Sequence, residues 1–162
     1  MKSMLSDDIL RLIVPDYLSL SSRQQILIQR LFDAVEASDK PLAAMFHERL
    51  SEIDDRLDSL LIEGGGCLLR ESMAIVRTLS RNVDRLHKMV PLFRAFGRAC
   101  AARGIANSDY EKIAPVLFWI VRECLGGEFN AEMDAALTAL YDQSSREMKD
   151  AAYGTYPLPL LR

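Results

Sequence analysis

The sequence predicts an all-α protein, and three observations support this fold class. Apolar residues recur at spacings of three and four along most of the 162 residues, which is the periodicity of amphipathic helices. No stretch shows the clear alternation of apolar and polar residues that marks a half-buried strand. Hydrophobic residues make up 49% of the chain and charged residues 27%, values near the globular average, so we expect one folded domain with one core.

Prolines and capping residues mark the first helices. A short apolar-spaced segment, residues 7–14, stops at a proline and is expected to form a leading helix. Ser21 or Ser22 is a suitable N-cap for the next helix, which should end near Ser38. Pro41 fits the first turn of a third helix, because the N–H that proline lacks has no partner there in any case.

A glycine triplet interrupts the pattern in the middle of the chain. Residues 53–61 have the spacing of a short helix, and residues 68–86 have that of a long one. Gly64, Gly65 and Gly66 lie between them and predict a hinge or loop, since glycine is a poor helix former. No lysine follows the triplet and no strand precedes it, so it does not predict a phosphate-binding loop.

The last third of the chain is divided in the same way. Pro91 opens a helix that Gly104 should close, and Ser108 is the expected N-cap of the helix that follows. Asn130 is the expected N-cap of the last long helix, which runs to about Tyr153. The whole pattern gives about seven or eight helices without internal repeats.

Charge and cysteine content exclude several classes of function. The net charge is −3 and the basic residues are spread along the chain, so we expect no nucleic-acid partner. The longest apolar stretch, residues 113–121, is far shorter than the roughly 20 residues of a membrane span, so we expect no membrane partner. Cys67, Cys100 and Cys124 are odd in number and form no C-x-x-C pair, which favours a reducing cytoplasm over a disulfide framework.

Several motifs occur in one order along the chain. Residues 46–54 read FHERLSEID, and residues 93–105 read FRAFGRACAARGI and are followed by Tyr110. Residues 126–132 read GGEFNAE and are followed by Tyr141. In this order and spacing the motifs resemble the globin domain of bacterial flavohaemoglobins and related single-domain and sensor globins, with residues 93–105 similar to helix F and the F–G corner.

The resemblance covers roughly residues 27–153 and implies a globin-like fold of about seven or eight helices. It implies that residues 21–154 form the globin-like domain. Residues 1–20 would then be an N-terminal helical extension, and residues 155–162 an extended C-terminal tail.

The resemblance also implies where the haem pocket of such a globin would lie, and this chain departs from the family there. Cys100 stands in the position of the iron-binding proximal histidine, and His47 in that of a distal tyrosine. Leu61 replaces a phenylalanine that packs on haem, whereas Tyr110 keeps the tyrosine that bonds the proximal histidine. The equivalents of the haem-pocket positions are Cys100, His47, Leu61, Leu68, Ser72 and Tyr110.

Thiol chemistry makes conventional haem binding unexpected. Cys100 can ligate iron only as a thiolate, and burial disfavours the thiolate. A buried cysteine ordinarily packs as a small hydrophobe. We therefore expect no cofactor; the alternative is a haem whose iron is held by Cys100 or His47, which are metal ligands only in that case. A redox-active Cys100, alone or with Cys67, is a further alternative.

Enzymatic activity is not expected. The glutamate that joins the family's proximal relay is replaced by Ala152, so an NO dioxygenase is the least favoured function. Asp54 and Asp55 are adjacent carboxylates, but they are expected at a helix start, where they favour the helix dipole.

The sequence therefore predicts a cytoplasmic ligand-binding or regulatory module of globin fold, with a protein partner or a small apolar ligand. The alternative function is an atypical haem globin that binds or senses O₂, NO or redox state. Because globins commonly pair through helices G and H, a homodimer through these helices, using exposed sides of Trp119 and Tyr141, is a further expectation.

Overall fold

The computed structural model describes residues 18–154, apart from the side chains at 63–67 and 69. This part of the chain is helical and contains no strand, which confirms the all-α prediction. The predicted leading helix at 7–14 and the predicted tail at 155–162 lie outside it. The helices are α1 (Ser22–Ala37), α2 (Leu42–Ile53), α3 (Asp55–Ser80), α4 (Val90–Ala102), α5 (Tyr110–Leu125) and α6 (Ala131–Tyr153), joined in part by 3₁₀ segments at Val83–Met89, Asn107–Asp109 and Gly126–Glu128.

Ser21 and Asn130 cap the N-termini of α1 and α6, as the sequence predicts. The Ser21 hydroxyl accepts from the Gln24 backbone N–H (3.1 Å), and the Gln24 side chain accepts from the Ser21 N–H (3.0 Å), which forms a capping box. The Asn130 side chain accepts from the Met133 N–H (3.0 Å) and caps α6. These bonds satisfy backbone donors that a helix start otherwise leaves unpaired.

The prediction of a loop at the glycine triplet is wrong, because α3 runs unbroken from Asp55 to Ser80. Asp54 caps this helix and accepts from the Leu57 N–H (3.1 Å). Leu57, Leu61 and Leu68 are all buried on one side of the helix, so apolar packing continues across the triplet. Tertiary packing therefore overrides a propensity cost of about 1 kcal/mol for each glycine.

Two predicted helix starts differ from the structure. Pro41 is the N-cap of α2 and not its first residue. Ser108 is exposed and does not cap α5, which begins at Tyr110. The side chain that satisfies a backbone donor in this turn is Asp109, which accepts from the Ala106 N–H (2.7 Å).

Two clusters of buried apolar residues form the core. The first cluster joins the chain near Leu18 to α1, α6 and the segment between the end of α3 and the start of α4. The second cluster lies among α2, α3, α4 and α5. Met148 and Cys124 pack against both clusters. The buried members of the second cluster are Phe46, Leu50, Leu57, Leu61, Leu68, Cys100, Ile105, Tyr110, Val116 and Ile120.

Helices α4 and α6 make the most extensive contact between two helices in this part of the chain. At their crossing, a methyl group on Gly97 would overlap the backbone of Met148. Beside it, Arg94 Nε lies 2.9 Å from the carboxylate of Glu147, whose side chain is buried. The absence of a side chain at residue 97 lets the two backbones meet, and the ion pair holds them in register.

No helix among residues 18–154 is long and apolar enough to cross a membrane.

We predict that Gly97→Ala destabilises the protein by about 1–3 kcal/mol, because the added methyl forces α4 away from α6. Urea unfolding followed by circular dichroism measures the change. Gly127→Ala is the matched control, since nothing lies within 4 Å of a Cβ built there. Equal stabilities for the two variants would contradict the close crossing.

Candidate functional site

Four of the six predicted pocket residues lie together in the second cluster. Leu61 and Leu68 come from α3, Cys100 from α4 and Tyr110 from α5, and all four side chains are buried. Ser72 follows Leu68 by one turn and is half-buried, and its hydroxyl donates to the Leu68 carbonyl oxygen (2.8 Å). Three helices thus bring these positions into one contiguous apolar region.

His47 has a partner outside the apolar cluster. Its side chain is 53% exposed, and its Nδ1 atom lies 2.7 Å from the carboxylate of Asp58. Asp58 is itself buried, so the pair joins α2 to the first turn of α3. The structure therefore engages one ring nitrogen of His47 with a carboxylate, and the role of this residue as an iron ligand stays a prediction.

Cys100 is a buried thiol with only 4% of its surface exposed. Burial raises the pKa of this thiol to about 12, the charge of Glu71 raises it as well, and Arg103 opposes the change. The sulfur therefore carries its proton at neutral pH. Cys100 lies among the apolar side chains of the second cluster.

Tyr110 places a polar atom inside the same cluster. Its hydroxyl is buried and has no hydrogen-bond partner among the side chains and backbone that the structure describes. Burial also raises the pKa of this hydroxyl above its ordinary value, so it stays protonated. An unpaired buried hydroxyl costs about 1–3 kcal/mol, so the Tyr110 hydroxyl is available as a hydrogen-bond donor.

Residues of α6 contact the backbone and the ring of Tyr110. Tyr141 donates its hydroxyl proton to the Tyr110 carbonyl oxygen (2.5 Å), and the ammonium of Lys149 lies 5.4 Å from the centre of the Tyr110 ring. Tyr153 donates to the carbonyl oxygen of Ile105, at the turn before α5. Helix α6 therefore fixes the start of α5 and, with it, the position of the unpaired hydroxyl.

The position that the resemblance assigns to the iron ligand holds a cysteine and not a histidine. A haem iron in a globin needs a neutral imidazole, and thiolate ligation needs a deprotonated sulfur. Cys100 supplies a protonated thiol instead. Leu61 and Leu68 on α3 belong to the same contiguous cluster as Cys100 and Tyr110.

Four charged side chains form a network of ion pairs beside the second cluster. Arg56 Nη2 lies 2.8 Å from Asp109, which is almost fully buried, and Lys112 Nζ lies 2.8 Å from Asp54. The second oxygen of Asp109 accepts from the Ala106 N–H. Two acids and two bases therefore tie the start of α3 to the turn before α5 and to α5 itself.

Sequence reasoning placed Asp54 at a helix start, which is correct, but it did not find this network. Arg56 and Asp109 are 53 residues apart, and no local spacing relates them. The one signal in the sequence was the pair of adjacent carboxylates at the start of α3, which indicates a helix cap and not a partner.

The two aromatic residues predicted to serve a dimer make contacts within the chain. Arg49 lies over the ring of Trp119, 4.6 Å from its centre. Tyr141 packs edge-to-face on Phe118, with ring centres 6.0 Å apart, and both Trp119 and Tyr141 are half-buried. A homodimer through α5 and α6 stays a prediction.

Comparison with known proteins assigns no family. No protein-family model matches the chain, and no curated protein sequence matches it. Among the side chains placed by the structure, no group of three His, Cys, Asp or Glu residues converges as a metal site would require.

We predict opposite effects for the removal of two tyrosine hydroxyls. Tyr110→Phe should leave the free energy of unfolding unchanged or raise it by about 1 kcal/mol, because the hydroxyl has no partner to lose. Tyr141→Phe should lower it by about 1 kcal/mol, because its hydroxyl bonds the Tyr110 carbonyl. Chemical denaturation measures both, and a larger loss for Tyr110→Phe would show that its hydroxyl is bonded.

We predict that Asp54 contributes stability that depends on pH. Its hydrogen bond from Lys112 lowers the pKa of the Asp54 carboxyl, and the Leu57 N–H lowers it further. The contribution is therefore complete above the unfolded pKa of about 4 and is lost as the pH falls through the lower folded value. Asp54→Asn, which keeps a capping side chain, should be less stable than the natural protein at pH 7, and the two should converge in acid.

Thermal unfolding from pH 7 to pH 3 checks this pH dependence. Asp55→Asn is the matched control, because Asp55 is an exposed carboxylate in the same turn. A stability difference for Asp54→Asn that persists unchanged at low pH would contradict the charge network.

Proposed function

We propose that this chain is a globin-like ligand-binding or regulatory module that does not hold haem in the conventional way. One observation carries the proposal: four of the six residues at the haem-pocket positions of the sequence resemblance, Leu61, Leu68, Cys100 and Tyr110, meet in one buried cluster. The packing of α2, α3, α4 and α5 around that cluster supports the globin-like part, since globins pack their helices pairwise around the haem pocket.

The resemblance in sequence supplies the rest of the fold argument. The motifs at residues 93–105 and 126–132 lie on α4 and across the junction of α5 with α6, in the order that helices F, G and H require. Tyr110, which the resemblance matches to a tyrosine of the family's pocket, begins α5 and is buried in the cluster.

The chemistry of the cluster defines the ligand that such a module would bind. Its lining is apolar, so a ligand is held by removal of its surface from water. The Tyr110 hydroxyl adds one donor without a partner among the placed residues. A small apolar molecule with a single hydrogen-bond acceptor satisfies both features.

We predict that the protein, produced with ample haem and purified, shows no stoichiometric Soret absorbance band, because the position of the proximal ligand holds a thiol, whose protonated form burial favours, and no imidazole. Haemin titration followed by absorbance measures binding. Cys100→Ser and His47→Ala should give the same spectrum as the natural protein. His87→Ala is the matched control, since His87 lies in the segment before α4 and not at a predicted pocket position.

The absorbance spectra of the same three variants would also reveal the alternative function, an atypical haem globin. A stoichiometric band that shifts in Cys100→Ser would overturn the proposal and assign the iron to sulfur. A band that is lost in His47→Ala, but kept in His87→Ala, would assign it to the distal side. Either result would make the protein an atypical haem globin.

A further inference from the structure

One side of α6 faces the start of α5 and the turn before it. Residues four apart lie on the same side of a helix, and on this side they are Tyr141, Ser145, Lys149 and Tyr153. The two tyrosine hydroxyls donate to the carbonyl oxygens of Tyr110 and Ile105. Lys149, which lies between them on the helix, is therefore directed toward the same part of α5.

Lys149 is a half-buried cation without an acid beside it. Its ammonium lies 5.4 Å from the centre of the Tyr110 ring. Among residues 18–154 no carboxylate forms an ion pair with it, whereas Lys112 is paired with Asp54. A charge that is partly withdrawn from water is stabilised by a nearby anion. The described part of the chain supplies none here.

Tyr110 brings a second unsatisfied group to the same place. The residue is 4% exposed, and its hydroxyl has no hydrogen-bond partner among the described residues. Because burial raises the pKa of this hydroxyl, it keeps its proton and can donate it. The lysine stem is flexible, so the ammonium can move from the face of the ring toward the edge that carries the hydroxyl. One ring thus has two donors beside it, one neutral and one charged.

The two donors and their surroundings limit the chemistry of a ligand. A neutral molecule with one acceptor satisfies the Tyr110 hydroxyl but leaves the charge of Lys149 without an anion. An inorganic anion satisfies both donors but gains nothing from the apolar residues of the second cluster, to which Tyr110 belongs. A carboxylate has two acceptor oxygens. An apolar molecule that ends in a carboxylate therefore satisfies the hydroxyl, the ammonium and the apolar side chains together.

We propose that the ligand of this protein is a small apolar monocarboxylate. Its carboxylate accepts a hydrogen bond from the Tyr110 hydroxyl and pairs with the Lys149 ammonium, and its apolar part packs against the second cluster. This inference rests on the proposed ligand-binding function and identifies the acceptor group of the ligand as an anion.

Titrations of the full chain with hexanoate, methyl hexanoate and acetate at pH 7, followed by two-dimensional amide NMR spectra, test the inference. Hexanoate should bind about ten-fold more tightly than its methyl ester, because a hydrogen bond to a charged group is stronger than one to a neutral group. Acetate should bind several-fold more weakly than hexanoate, because it has less apolar surface to bury. The signals that shift should include the amides of Tyr110 and Lys149.

Three variants separate the contributions of the two donors. Lys149→Met removes the charge but keeps an unbranched apolar stem, so it should weaken hexanoate about ten-fold and leave the methyl ester unchanged. Tyr110→Phe should weaken both ligands several-fold, because both contain an acceptor for the hydroxyl. Lys88→Met is the matched control, since Lys88 is an exposed lysine in the segment before α4, and it should change neither affinity. The amide spectrum of each variant shows whether it is folded.

Equal affinities of the natural protein for hexanoate and methyl hexanoate would overturn the inference but leave the proposed function intact, and this comparison needs no variant. Acetate that binds as tightly as hexanoate would also overturn it, since the site would then hold an anion alone. A folded Lys149→Met variant that keeps the full preference for hexanoate would do the same. If neither hexanoate nor its ester bound, the ligand-binding form of the proposed function would be lost as well.

Discussion

The close crossing of α4 and α6 constrains the rest of the structure. Gly97 allows the two backbones to touch, and the Arg94–Glu147 pair fixes their alignment. Because α6 also bonds the start of α5 through Tyr141, the same contact sets where Tyr110 and Cys100 meet. A glycine with no side chain thus determines the geometry of a site whose polar atoms lie on other residues. Packing at this density leaves little room for adjustment.

The second constraint is electrostatic and involves the turn before α5. Asp109 is buried, and its two oxygens are both satisfied, one by Arg56 and one by the Ala106 N–H. A buried carboxylate without such partners would cost several kcal/mol. Asp109 is therefore satisfied only when the turn before α5 lies against Arg56.

Sequence alone predicted the parts of the fold that depend on neighbours along the chain. Ser21 and Asn130 cap helices because their side chains reach backbone donors three residues away, and such spacing is visible in a sequence. The prediction of a loop at the glycine triplet failed, because the packing of leucines on either side of it in the folded chain outweighs the low helix propensity of glycine. The Asp109 network escaped detection for the same reason, since its partner Arg56 is 53 residues away. The cluster around Cys100 was found through resemblance, but the partnerless state of the Tyr110 hydroxyl required coordinates.

The continuity of α3 has a mechanical consequence. A helix of 26 residues is about 39 Å long, and this one starts in the second cluster and ends in the first. Both clusters of the core therefore pack against the same helix. Three consecutive glycines lie close to its midpoint, where bending is cheapest because no side chain braces the backbone. One continuous helix therefore links the packing around Leu61 to the packing around Leu79.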